Sequence, residues 1–231
     1  MSPRWAKATR GRAGDDPATA LRQHLIDTAE KLLTEGQVGA ITTREIAREA
    51  GVSDGVLYNH FADKHDLILA ALIRRYAQAL SHFEADLPEP GTATVEANLI
   101  TYAEAALDLV AQALPMVAGL MSEPALLHRF IAEIHREPLG PERMRQPIAD
   151  YITGEQRLGR LGEFPIEAAL SLMIGPTLML GFTELVGGAP RQTVVAAIPD
   201  IIHTLMQGIA ATPKATSRRQ RGSPAYHTER G

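Results

Sequence analysis

Between Thr42 and Lys64 the chain sets out a dense run of hydrogen-bonding side chains. Thr42, Thr43, Ser53 and Tyr58 offer hydroxyls. Arg44 offers a guanidinium, Asn59 an amide, His60 an imidazole and Lys64 an ammonium. No nucleophile with a partnered base stands among them. Their chemistry is that of gripping a polyanion. Tyr58, His60 and Lys64 can reach phosphate oxygens, and such contacts fix register on a duplex. Thr43 joins them, and Arg44 can reach a guanine. Asp54 is the acidic exception. It either caps a helix or accepts from a cytosine amino group.

The stretch ITTREIAREAGVSDGVLYNHFADKHDL, Ile41 to Leu67, supplies the elements that hold these groups. Thr42-Thr43-Arg44-Glu45 has the spacing of a capping box. Ile46, Ala47 and Ala50 then recur on one apolar face. Gly51 stops this helix in the left-handed region that glycine enters cheaply. Val52 plugs the corner. Ser53 and Asp54 both suit the start of a second helix running to about His60. Leu57 and Phe61 point to the core, which leaves Gly55, Val56, Tyr58, Asn59 and His60 on or near the outer face. Asp63 caps the next helix. Two short helices joined by a tight turn, the second polar outside, fit the major groove of DNA. The plainer reading is a helical hairpin in an all-α core.

The segment resembles the N-terminal domain of the tetracycline-repressor-like (TetR) transcriptional regulators. The residues that carry the resemblance are Thr42-Thr43, Ile46-Ala47, Ala50-Gly51-Val52-Ser53, Gly55, Leu57-Tyr58, His60-Phe61, Lys64 and Leu67. The motif runs from Leu21 to about Leu72, under a quarter of the chain. Asp54 departs from it, since family members often carry Lys, Pro or Arg there. The resemblance implies a three-helix DNA-binding head and a larger helical body that dimerises and holds a small-molecule pocket. It implies a ligand-responsive regulator, a repressor released from a palindromic double-stranded operator by its effector. Within the head, the helix over Ser53–His60 reads bases, with Gly55 allowing close approach.

Composition and punctuation place the rest. A chain of 231 residues with 45% hydrophobic content has enough apolar material for a small head plus a larger body. The formal net charge is −4, which argues against a histone-like, charge-driven binder. Residues 1–66 hold nine Lys/Arg against ten Asp/Glu, but Arg4, Lys7, Arg10 and Arg12 precede any acid. Residues 1–15 therefore read as a flexible basic arm that can follow phosphates or enter a minor groove, or that only solubilises. The head follows over 16–76 and the regulatory body over 77–211, the change falling inside a long helix near Ala77. Residues 212–231 turn to Ser, Arg, Gly and Pro and read as a disordered tail.

The body reads as all helix: Thr94–Leu114 with a separate short segment from Pro115, then Pro124–Arg136, Pro141–Leu158, Pro165–Val186 and Arg191–Ala211. The last two are apolar on most sides. Each is either a central core helix or part of a four-helix interface with a second copy. The resemblance favours a homodimer through 165–211. Tyr102, Met116, Met121, Phe130, Met144 and Met173 are candidates to line a pocket for a hydrophobic or aromatic effector. Tyr102 and His128 are candidates for its polar contacts.

Other chemistry lacks a carrier. Cysteine is absent, which removes disulfides and thiol sites. His128 and His135 can share a helix face but lack an acid to complete a metal set. No phosphate loop or nucleophile elbow occurs, so neither enzyme chemistry nor a cofactor is expected. No apolar run reaches the roughly 18 residues of a spanning helix, and no secretion signal is visible. A cytoplasmic protein without membrane contact follows. The alternative function is a helical small-molecule-binding protein whose head has weak or no DNA affinity, a reading to which Asp54 lends weight.

Overall fold

The computed structural model describes residues 16–35 and 41–208. The basic arm and the tail lie outside the described residues, as do Ile209–Ala211. The described residues form ten helices and no strand. The head comprises α1 (Pro17–Glu35), α2 (Thr43–Ala50) and α3 (Asp54–Tyr58). α4 (Lys64–Ala85) leaves it and enters the body. The body continues with α5 (Val95–Leu120), α6 (Pro124–Arg136), α7 (Glu142–Arg157), α8 (Ile166–Leu185), α9 (Arg191–Ala196) and α10 (Ile198–Gln207).

Two apolar cores share α4. Leu67, Ile68, Ala71 and Leu72 pack with Leu21, Leu25, Ile46, Leu57 and Phe61 in the head. Ala79, Leu80 and Phe83 pack with Leu99, Leu107, Tyr151 and Leu170 in the body. The head core also takes in Met116, Leu120, Leu126 and Phe130 from α5 and α6. The body thus supplies part of the head's floor. Each fully buried large apolar side chain is worth about 1.5–3 kcal/mol, so this shared core couples the two cooperatively. Polar ties reinforce it. Arg74 of α4 donates to both carboxylate oxygens of Glu30 at 2.8 and 2.6 Å, clamping α1. Arg143 of α7 holds Glu84 of α4 in the same two-pronged way, at 2.6 and 2.7 Å.

Three boundaries differ from the sequence expectation. The first is Pro115, which sits inside α5 rather than opening a new segment. Proline removes one intrahelical bond. Here its ring faces outward, while Leu109, Val110, Met116 and Leu120 on either side are buried. Burial outweighs the lost bond. The second is the last expected helix, which is two, because Pro199 stands in the first turn of α10 and cannot continue α9. The third is the recognition segment: α3 ends at Tyr58, and Asn59 and His60 form a turn whose amides donate to Val56 and Leu57 carbonyls at 3.3 and 3.0 Å.

The absence of any membrane-length apolar helix is also corrected. Val95–Leu120 and Ile166–Leu185 are both long and apolar enough to cross a bilayer by length and composition. α5 has neighbours around it in α4, α6, α7, α8 and α10. α8 buries one side against α5 and exposes the other. A Cβ on Gly181 of α8 would land on Val110 Cγ1, so the two helices meet there at backbone distance.

The Pro/Gly loop before α5 is pinned rather than loose. Tyr102 Oη donates to the Pro88 carbonyl at 3.1 Å, and the Gly91 amide donates to Glu155 Oε1 at 3.0 Å. Buried Glu155 has Arg160 Nε 3.1 Å away as its countercharge. Burial pushes the phenols of Tyr102 and Tyr151 up to about 12.

Candidate nucleic-acid interface

The turn between α2 and α3 is built from its sequence. Thr42 caps α2, its hydroxyl accepting from the Glu45 amide at 3.2 Å. Gly51 ends it at φ +70. The Gly51 amide donates to Arg48 and the Val52 amide to Ala47, at 3.2 and 3.0 Å. This bond pair satisfies the orphan carbonyls and turns the chain sharply. His24 of α1 adds a contact from its Nε2 to the Ala50 carbonyl at 3.0 Å. Ser53 occupies the position before α3 in extended backbone but makes no side-chain cap bond. Asp54 is the first residue of α3, exposed, where a carboxylate meets the positive end of the short helix.

α3 is held by one anchor. Leu57 is wholly buried, whereas the adjacent Tyr58 is 56% exposed. Ser53, Asp54, Gly55 and Asn59 are exposed with it, and Val56 and His60 are half-buried. A Cβ at Gly55 would meet no atom within 4 Å, so nothing in the fold requires glycine there. Thr42 and Arg44 on α2 are exposed and Thr43 is half-buried. Both helices of the turn thus present polar side chains to solvent.

Lys64 is placed differently from its fellow candidates. It is half-buried, and its ammonium donates to the Ile41 carbonyl at 3.2 Å. It ties the start of α4 to the strand of chain entering α2, with two donors left over. The start of α4 is closed reciprocally. Asp63 accepts from the Asp66 amide at 2.8 Å, and Asp66 accepts from the Ala62 amide at 3.1 Å. Asp66 also pairs with Arg129 of α6. The hydrogen bond from that guanidinium holds the Asp66 carboxyl below the usual carboxylate range. Sequence reading missed Arg129, because an ion pair spanning so much chain has no local pattern. It also missed Arg48, exposed in the last turn of α2, and Arg22, whose guanidinium lies 4.9 Å from the centre of the Phe61 ring. Basic residues on the head's helices were the available signal for both.

The seven body candidates do not converge on one cavity. Met116 and Phe130 are buried in the head core, and Phe130 meets the Tyr76 ring edge-on at 6.0 Å. Met121 is 70% exposed at the end of α5. His128 is exposed on α6. Tyr102 is buried with its hydroxyl committed to the Pro88 carbonyl. Met144 is half-buried against the body core. Met173 alone of the seven lines the body's apolar cavity, of about 390 Å³. The others in that wall, including Leu99, Ile152, Phe164, Leu172, Leu205 and Met206, come from four helices and a loop. Methionine and aromatic content alone did not bring them together.

Residues 25–71 match the family model of bacterial regulatory proteins, tetR family. Among curated relatives, the fatty acid metabolism regulator protein of Bacillus subtilis (strain 168) is 29% identical over 76 residues, 33% of this chain and 39% of that protein. The HTH-type transcriptional regulator AcrR of Shigella flexneri is 44% identical over 50 residues, 22% of this chain and 23% of that one. The matches thus span well under half of these relatives' own lengths. Among solved structures, the transcriptional regulator FadR from Bacillus subtilis, in complex with stearoyl-CoA, superposes with a TM-score of 0.57 at 20% identity, covering 81% of this chain and 99% of that one. A transcriptional regulator from Saccharomonospora viridis, in complex with choline, gives 0.61 at 20% identity, covering 82% and 96%. At such identity these two show a shared helical fold. The turn and exposed helix of the head thus lie in a segment that matches the tetR family of bacterial regulatory proteins, and the likeness in the body is one of fold.

Proposed function

We propose that this chain is a ligand-responsive, sequence-specific DNA-binding transcriptional regulator, a repressor that leaves its operator when a small molecule occupies the body. The observation that carries this reading is the surface of α3, where Leu57 is buried and Tyr58 beside it stands in solvent. A short helix anchored on one side and polar on the other suits a major groove. In this reading Ser53, Gly55, Val56 and Asn59 face bases, Arg44 reaches a guanine, and Thr42, Thr43, Tyr58, His60 and Lys64 hold the backbone. Asp54 serves the helix start.

The chain works as a homodimer through residues 165–211. Support comes from the outer side of α8, where Leu172, Met179 and Phe182, with Val186 just past its end, are all more than half exposed. So long an apolar stripe is costly in water. Pairing also suits the target, since two heads must sit about 34–36 Å apart to enter successive grooves. The ligands named for the two solved regulators suggest that effectors of this fold range from acyl thioesters to small cations. The protein acts in the cytoplasm, without catalysis.

A gel-shift titration on DNA from upstream of its own coding sequence tests the reading. A retarded complex, resistant to excess unrelated duplex and dispersed by an effector, is expected. No preference over unrelated duplex would favour the second reading, a helical small-molecule-binding protein with weak DNA affinity. The exposed carboxylate of Asp54 on the candidate surface is the observation that keeps it in play.

A further inference from the structure

The apolar cavity of the body has a chemistry fixed by its walls. Leu99 of α5, Ile152 of α7, Met173 of α8, Leu205 and Met206 of α10, and Phe164 of the loop before α8 line it. At about 390 Å³ it lies within the range of small-molecule sites. No Asp, Glu, Lys, Arg or His stands in the lining. A charged group moved there from water would lose its hydration and find no partner, a heavy penalty. An ammonium, carboxylate or phosphate therefore has no place in the interior. The lining is aliphatic apart from one ring, and methionine on two sides adapts to a flexible guest.

The rim supplies a second observation. Leu172 lines this cavity, yet it is 58% exposed, and Phe164 is 39% exposed. Leu172 stands on the same side of α8 as Met179 and Phe182, seven and ten residues on. That is the side which pairing would cover. In a single copy the cavity is therefore open to solvent beside Leu172 and Phe164.

We propose that this cavity takes an uncharged alkyl chain, leaving any polar headgroup outside, and that a second copy of the chain completes its wall. This rests on the paired-regulator reading above. Guest and partner then bury the same residues, so occupancy tightens pairing and pairing tightens occupancy by the same factor.

The test uses the full chain without DNA. Self-association is measured by sedimentation equilibrium with and without saturating dodecan-1-ol, and binding of dodecan-1-ol and of choline by calorimetry. Dodecan-1-ol should bind saturably, choline should not, and the dimer dissociation constant should fall roughly 5- to 150-fold. Leu161→Trp, in the loop before α8 and outside the pairing segment, enlarges a lining side chain and should abolish dodecan-1-ol binding while leaving unliganded self-association unchanged. Ile152→Phe narrows it from α7 and gives the same readout should the first variant fold poorly. A dimer whose association is indifferent to bound dodecan-1-ol would overturn the proposal, as would undiminished binding in a folded, cavity-filled variant. A chain that stays monomeric at every concentration, with or without the probe, would instead remove the paired-regulator reading beneath it.

Discussion

Leu57 and Tyr58 are adjacent residues of one five-residue helix, and the structure assigns them opposite fates when cut back to alanine. Leu57 is wholly buried in the head core. Its loss leaves a cavity beneath α3, and such truncations cost about 2–5 kcal/mol. Tyr58 is 56% exposed, and substitutions of exposed side chains usually stay within about 0.5 kcal/mol. Its effect should appear on DNA instead. A hydrogen bond to a charged group contributes about 1.5–3 kcal/mol, and about 1.4 kcal/mol is tenfold in affinity. Tyr58→Ala should therefore weaken binding on the order of 10- to 100-fold per head, on every sequence alike. Denaturant unfolding gives the stabilities, and fluorescence anisotropy on a set of related duplexes gives the affinities. A Tyr58→Ala protein destabilised like Leu57→Ala would refute the placement of α3. A loss confined to one base position would refute the phosphate role.

Three further outcomes follow from particular contacts. Gly55→Ala adds a methyl group where no protein atom lies within 4 Å; it should leave stability unchanged or raise it by about 0.4–1 kcal/mol, yet weaken DNA binding, and equal affinity would show that no duplex approaches there. Gly181→Ala drives a methyl group into Val110; overpacking of this kind costs about 1–3 kcal/mol, read as a lowered Tm, and an unchanged Tm would mean that α8 and α5 are not so close. Asp66→Asn removes the charge that pairs with Arg129 while keeping an oxygen able to accept from the Ala62 amide. Because the folded-state pKa of Asp66 lies below its unfolded value of 3.8, the carboxylate's contribution is full above that value and fades as pH falls through the folded one. The stability gap between wild type and Asp66→Asn should thus be wide at neutral pH and close in acid; a gap that widens in acid would reverse the assignment.

The head was legible because its rules are local. Thr42, Gly51 and Asp63 each act on backbone groups three to five residues away, and the structure places all three as caps. α4 was likewise bounded by Asp63 at one end and the Pro/Gly loop at the other. What escaped was set by distance. Pro115 reads as a break until one sees that its ring faces out and that burial on both sides carries α5 through. Met116 and Phe130 read as pocket residues by type, but they floor the head, because the two cores interlock across α4, α5 and α6. The cavity's lining comes from segments that no periodicity connects. Arg129 meets Asp66 for the same reason.

The proposed pairing would set two copies of α3 on one duplex. Selecting fragments of bacterial genomic DNA with the full-length protein, then sequencing what is retained, tests it most directly. The expected result is enrichment of an inverted repeat whose half-sites lie about 10 base pairs, or a multiple, apart. Retained DNA indistinguishable from the input pool would contradict it.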